Sequence, residues 1–318
     1  MRTLSSLLIT CLFSCGVSAQ EFPVKPLQIV IPFAAGSSTY IVFNLMAPTL
    51  SQRLGQPVLV VPRPGGMATI GMGYVAKANP DGYTLGAATL SFAANPPFME
   101  GKMPYNPQRD FVPVTQVTRA TLVLIVNPGI GVRNVKELIA LARAKPGALN
   151  YGSTGIATSG HLAGAMFASA AHLKVVHIPF TGGIASVSLA SGTTQFQITP
   201  IPASFGLVKA GRVLPIGVTS AKPVAAYPGV PTISEAGLPG FEMYEWAAVL
   251  APAKTPAAVI RRLQQELVYA ATEPSVKAKI EDVGTEVVTG TPEQLAAHLK
   301  SEFAIWRKVA TEVSESER

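Results

Sequence analysis

Apolar positions along this chain switch repeatedly between two spacings. Short unbroken runs at 29–31, 58–61, 83–88, 122–126, 175–179, 196–199 and 214–219 read as buried strands. Between them the spacing widens to three and four. Ile41, Leu45, Met46, Leu50 and Leu54 recur at helical intervals, with Gly55 placed as a stop and Pro48 as an interior kink. Val135, Leu138, Ile139 and Ala142 form a second set, entered through Asn134 with Glu137 three residues on. A helix over about 68–78, one carrying His161, Leu162, Ala165 and Met166, and one from Gly182-Gly183 to about Ala190 follow the same logic. Val259, Leu263 and Leu267 continue a helix opened by Thr255 as N-cap and Pro256 at N1. Thr291-Pro292-Glu293-Gln294 is a capping box, and Leu295, Leu299, Phe303, Trp306 and Ala310 share one face as a docking stripe. The stretch before residue 122 is rich in proline and polar residues and reads as a loop. Strands alternating with helices predict an α/β fold of largely parallel sheets with helices on their faces.

Two passages look alike. Residues 29–39 and 149–160 each run from a short strand through a small-residue loop into a helix start. Such a loop presents backbone N–H groups at the positive end of a helix dipole, which is a ready anion site. Two of them on facing domains could clamp one small carboxylate.

Composition narrows the setting. Arg2, the apolar stretch from Leu7 to Phe13 and the small residues Val17-Ser18-Ala19 read as a signal peptide over 1–19, cleaved after Ala19, and so predict export to the periplasm. Both cysteines, Cys11 and Cys15, fall in that segment, so the predicted mature chain has neither disulfide nor thiol chemistry. No other run is long and charge-free enough for a membrane span. The formal charge of +7 comes from scattered Lys and Arg with no basic run among aromatics, which argues against nucleic acid.

The residues of most catalytic or metal-dependent chemistries are missing. There is no G-x-S-x-G elbow, no Walker loop and no G-x-G-x-x-G spacing. The four histidines, His161, His172, His177 and His298, lack zinc-ligand spacing. Ser153 or Ser159 with His161 is the one arrangement from which a secreted serine hydrolase could be built, and nothing in the sequence supplies its orienting acid. The balance favours a binding protein without catalytic residues, metal or cofactor.

A longer series of short motifs carries a family resemblance. Pro32-Phe33-Ala34-Ala35-Gly36-Ser37-Ser38-Thr39 is followed by Leu54-Gly55-Gln56-Pro57-Val58, Arg63-Pro64-Gly65-Gly66 and Pro80-Asp81-Gly82-Tyr83-Thr84-Leu85. Tyr151-Gly152-Ser153 through His161-Leu162-Ala163-Gly164, His177-Ile178-Pro179-Phe180-Thr181-Gly182-Gly183, Pro231-Thr232-Ile233-Ser234-Glu235-Ala236-Gly237, Trp246 and Ala251-Pro252-Ala253-Lys254-Thr255-Pro256 come next, in order. The chain thereby resembles the Bug receptors, the solute-binding component of tripartite tricarboxylate transporters. The resemblance implies a type II-like, two-lobed periplasmic binding protein. Lobe one would be 20–119 plus 245–318, and lobe two 120–244. It implies a monomer that takes a small organic carboxylate and works with transporter membrane subunits or a sensor; some members bind neutral pyridine-type compounds instead. Ligand contacts would come from Phe33, Ala34, Ala35, Gly36, Ser37, Ser38, Thr39 and Tyr40 in the first loop. Ser153, Thr154, Gly155, Ala157 and Thr158 would supply the second, with Thr181 and Gly182 closing the site. Three departures bear on the ligand. Tyr40 stands where the family carries Asp, Pro62 where Asn is common, and Gln197 and Pro200 in a stretch that often holds Asp. A carboxylate without an ammonium group, an aromatic one included, fits these changes better than an acidic amino acid does.

Overall fold

The computed structural model describes residues 22–99, 101–156, 158–180, 184–282 and 284–316. The expected signal segment therefore lies outside the described residues. In chain order the elements are β1 (Leu27–Ile31), α1 (Ser38–Leu54), β2 (Val58–Pro62), α2 (Thr69–Ala76), β3 (Thr84–Thr89), α3 (Leu90–Phe98) and β4 (Phe111–Val126). Then come α4 (Val135–Ala144), β5 (Asn150–Ser153), α5 (Ser159–Ala170), β6 (Val176–Pro179), α6 (Ile184–Ala190), β7 (Phe196–Pro200), α7 (Ile201–Lys209) and β8 (Leu214–Val218). The chain finishes with β9 (Tyr244–Pro252), α8 (Ala257–Thr272), α9 (Pro274–Asp282), β10 (Glu286–Val287) and α10 (Pro292–Ser316).

The strands order as β2-β1-β3-β9-β4-β7-β5-β6, with β8 and β10 also paired to β4. Parallel pairs occupy the flanks: β1 with β2 and β3, and β5 with β6 and β7. The two long central strands are antiparallel. From Phe111 to Thr121, β4 pairs with β9; from Leu122 onward it pairs with β7 and β8. One strand thus changes partners within its own length, and β9 re-enters beside it at Tyr244.

Two apolar layers hold the β1 side of the sheet. Val42, Phe43, Met46 and Leu50 of α1 pack with Ile29, Ile31 and Ile260, Leu263 and Leu267 of α8. On the opposite layer α10 contributes Leu295, Leu299 and Trp306, all buried, so the predicted stripe does dock. That cluster continues without a break to Leu162 and Phe167 of α5.

Side-chain capping sets several helix starts. Asn134 caps α4, its Oδ1 accepting from the Glu137 N–H at 2.9 Å, while Glu137 reaches back to the Arg133 N–H at 2.7 Å. Thr291 and Gln294 form the reciprocal box at α10, with bonds of 3.2 and 2.8 Å. Two sequence expectations are corrected. Thr255 does not cap α8: its hydroxyl donates back to the Pro252 carbonyl at 2.8 Å, which closes the turn after β9, and the helix starts at Ala257. The supposed loop before residue 122 is in large part the first two-thirds of β4. Register shifts at Pro113/Thr115 and Gln116/Thr118 let it keep pairing with β9 despite the proline.

Candidate functional site

Four strand-to-helix turns converge on one cavity: β1 to α1, β3 to α3, β5 to α5 and β7 to α7. The cavity measures about 240 Å3. Phe33, Ser37, Ser38 and Thr39 line it from the first turn, and Thr89, Leu90 and Ser91 from the second. Thr154, Thr158, Ser159 and Gly160 come from the third, Gln197, Thr199, Pro200 and Ala203 from the fourth, and Glu245 from the start of β9. No Lys, Arg or His is among them.

Each turn is built for its place. Gly36 adopts φ +87°, a conformation costly for any residue with a side chain, and so swings the chain from β1 toward α1. Ser37 is extended, and its Oγ accepts the Tyr40 N–H at 3.3 Å. The cap satisfies one first-turn amide; those of Ser38 and Thr39 have no partner within the helix and lie at the cavity wall. In the second loop Gly155 sits at φ +136°, and its carbonyl accepts from both Ser153 Oγ (2.9 Å) and Thr158 Oγ1 (2.8 Å). Gly160 must be glycine for packing: a Cβ there would meet the Ile198 carbonyl at 2.8 Å, so its absence lets α5 lie directly on β7.

The structure therefore gathers Phe33, Ser37, Ser38, Thr39, Thr154 and Thr158 from the expected set. Ala34, Ala35 and Gly36 are exposed and do not line the cavity. Tyr40 turns away and packs on the core beneath α1, because the first helical turn points it to that layer. Ser153 is fully buried behind the loop, and Gly155 shapes the turn rather than the wall. Ala157, Thr181 and Gly182 lie outside the described residues.

Behind the second loop Ser153 Oγ lies 2.7 Å from His177 Nε2, and the His177 and His161 rings meet at a tilt of 31° with centroids 4.1 Å apart. Burial lowers the His161 pKa to about 4; burial and the neighbouring imidazole lower that of His177 to about 3. Both are neutral at ordinary pH. The partner of Ser153 is thus His177 and not His161, and that hydroxyl is shut off from the cavity; Ser159, the other candidate, donates to Glu245 at 3.2 Å, so neither hydrolase arrangement forms among the described residues.

Sequence reasoning missed Thr89, Leu90, Ser91, Ser159, Gly160, Thr199, Ala203 and Glu245 as cavity walls, and used Gln197 and Pro200 only as departures from a pattern. Gln197 is 1% exposed, and its Oε1 has no hydrogen-bond partner among the described residues. Glu245 accepts from Ser159 Oγ at 3.2 Å. Its side chain keeps some surface, yet atoms crowd it closely enough that desolvation holds its pKa above the usual carboxylate range, against the opposing pull of that hydrogen bond. A larger concavity, about 980 Å3, is a groove beside Asn106, Arg109 and Arg307. It has none of the convergent helix starts.

Residues 42–314 match the family described as the tripartite tricarboxylate transporter family receptor. The chain belongs to that family. It is 36% identical over 293 residues to a UPF0065 protein in the tcbD-tcbE intergenic region of Pseudomonas sp. strain P51, covering 92% of this chain and 87% of the relative. Protein BugT of Bordetella pertussis is 32% identical over 302 residues, covering 93% and 91%. Among solved structures, R. palustris Rpa4515 with adipate aligns at a TM-score of 0.80 and 32% identity, covering 92% of this chain and all but 1% of that one by its 99% coverage. The family consists of periplasmic solute-binding receptors, the Bug proteins among them, and not of enzymes. No helix among the described residues is long and apolar enough to cross a membrane.

Proposed function

We propose that this chain captures a small organic carboxylate in the cavity where the four turns meet, and delivers it to the membrane subunits of a tripartite tricarboxylate-type transporter or to a sensor. In this reading residues 1–19 direct export and are removed after Ala19. Lobe one (20–119 with 245–318) and lobe two (120–244) close on the ligand about the β4 and β9 crossings, and the closed form is what the membrane partner recognises. The receptor acts as a monomer, with no nucleic-acid partner.

The convergence of helix N-termini carries the proposal. Each turns toward the cavity first-turn amides that its own helix leaves without a partner, together with a partial positive charge, and the hydroxyls of Ser37, Ser38, Thr39 and Thr154 stand beside them. Such donors hold a carboxylate, directly or through water, without a buried cation. The adipate seen on Rpa4515 supports the same ligand class. Ala157, Thr181 and Gly182 would complete the clamp.

A thermal-shift screen of refolded, ligand-stripped protein tests this. The panel spans mono-, di- and tricarboxylates, aromatic acids, amino acids, pyridine-type neutrals and sugars. A ligand at 100 times its Kd adds about 2.7 kcal/mol. Stabilisation by carboxylates alone is expected. Stabilisation by neutral compounds alone would keep a receptor but overturn the anion site.

A further inference from the structure

The cavity at the helix starts is not isolated. A second cavity of about 430 Å3 adjoins it, and Ser38, Thr39, Pro200, Ala203 and Glu245 line both. Beyond those shared residues the second wall is mainly hydrocarbon, from Ile41 and Val42 of α1, Pro202 of α7 and Ala247 of β9. It too has no Lys, Arg or His. The first cavity alone falls short of the ~300 Å3 at which small-molecule pockets usually begin, whereas the two joined fall inside that range. Glu245 stands at the junction, its one described hydrogen bond coming from Ser159.

We infer that the second cavity continues the ligand site and receives an apolar body, so that the preferred ligand is a monocarboxylate with an aliphatic or aromatic tail, Glu245 acting as the residue that excludes a second carboxylate. The inference rests on the first cavity being the carboxylate site. One carboxylate satisfies the amides and hydroxyls at the helix starts. The rest of the ligand must then pass Glu245 and cover apolar wall, where hydrocarbon gains roughly 25 cal/mol per Å2 removed from water. A second carboxylate carried along that path would lose its hydration beside the Glu245 carboxyl in a space with no basic side chain to pair with it, and the ionised form of Glu245 would repel it as well. A terminal ammonium would pass Glu245 and be stripped of water among hydrocarbon. Selectivity thus comes from what the path rejects as well as from what it holds.

Three ligands of equal length isolate the terminal group: hexanoate, adipate and 6-aminohexanoate. Isothermal titration of each into refolded protein at pH 7.5 is expected to give hexanoate at least tenfold tighter than either of the others. Glu245→Gln should cut the hexanoate-to-adipate preference about tenfold. Ile41→Trp narrows the second cavity from a position that is already 38% exposed, so it should leave Tm within about 2 °C and weaken hexanoate about tenfold. Adipate or 6-aminohexanoate binding as tightly as hexanoate would overturn the inference, and so would an Ile41→Trp variant that binds hexanoate unchanged; in both cases the carboxylate reading survives. Failure of all three to bind the folded wild type would remove that reading and the inference with it.

Discussion

His161 and His177 lie ring against ring behind the second loop, and the burial that neutralises them has a measurable consequence. In the unfolded chain both titrate near 6.5, whereas in the fold they titrate at about 4 and about 3. Folding therefore excludes protons that the unfolded chain would bind. The stability they confer is whole above pH 6.5 and is lost as pH falls through the window toward 4 and 3. For His161, a depression from 6.5 to about 4 corresponds to on the order of 3 kcal/mol. Thermal melts from pH 7.5 to 4.5 should show Tm dropping by several degrees, with a shallower drop in a His161→Gln, His177→Gln double variant. Identical pH profiles for the two proteins would contradict it. The same residues show what a single sequence hides. His161 stood out there as the companion of Ser153 by proximity along the chain, but the parallel pairing of β5 with β6 sets Tyr151 opposite His177 and brings that ring to the serine instead.

At the level of elements, the strongly patterned pieces were legible and the compromised ones were not. α4 and α10 announced themselves through capping boxes and apolar stripes, and both boxes form. The α3 segment carries Asn95-Pro96-Pro97, residues that ordinarily end a helix, and here the prolines fall in its last turn. The first part of β4 was hidden because its bulges interrupt the period-two alternation. These two features concealed the Thr89 to Ser91 wall and the long strand that changes partners; Glu245 gave no signal, being a lone carboxylate at the start of β9. The two small-residue loops were legible because helix starts of this kind need glycine and hydroxyls. At the α5 start the reason is contact: Gly160 abuts the Ile198 carbonyl. Gly160→Ala should push α5 off β7, cost about 1–3 kcal/mol as overpacking does, and displace Thr158 and Ser159 from the cavity. Chemical denaturation and ligand titration would together read this. A variant with wild-type stability and affinity would show that the close approach is dispensable.

The whole molecule combines two kinds of joint between its flanking parallel sheets. β4 and β9 run through the centre as antiparallel partners, and α10 packs into an apolar cluster reaching from α3 to α5. In the proposed function a ligand held by turns from both flanks would favour a closed arrangement by its differential affinity. Small-angle scattering should therefore show a smaller radius of gyration at saturating carboxylate than in refolded, ligand-free protein; an unchanged radius would argue against closure. The rival location for an anion is the 980 Å3 groove, whose wall carries Arg109 and Arg307. A crystal structure of the refolded protein with the carboxylate that stabilises it most decides between them. The account predicts carboxylate oxygens within hydrogen-bond reach of the α1 and α5 first-turn amides, beside Ser38 and Thr158. A carboxylate resting on Arg109 or Arg307, with the helix starts bound only to water, would contradict it.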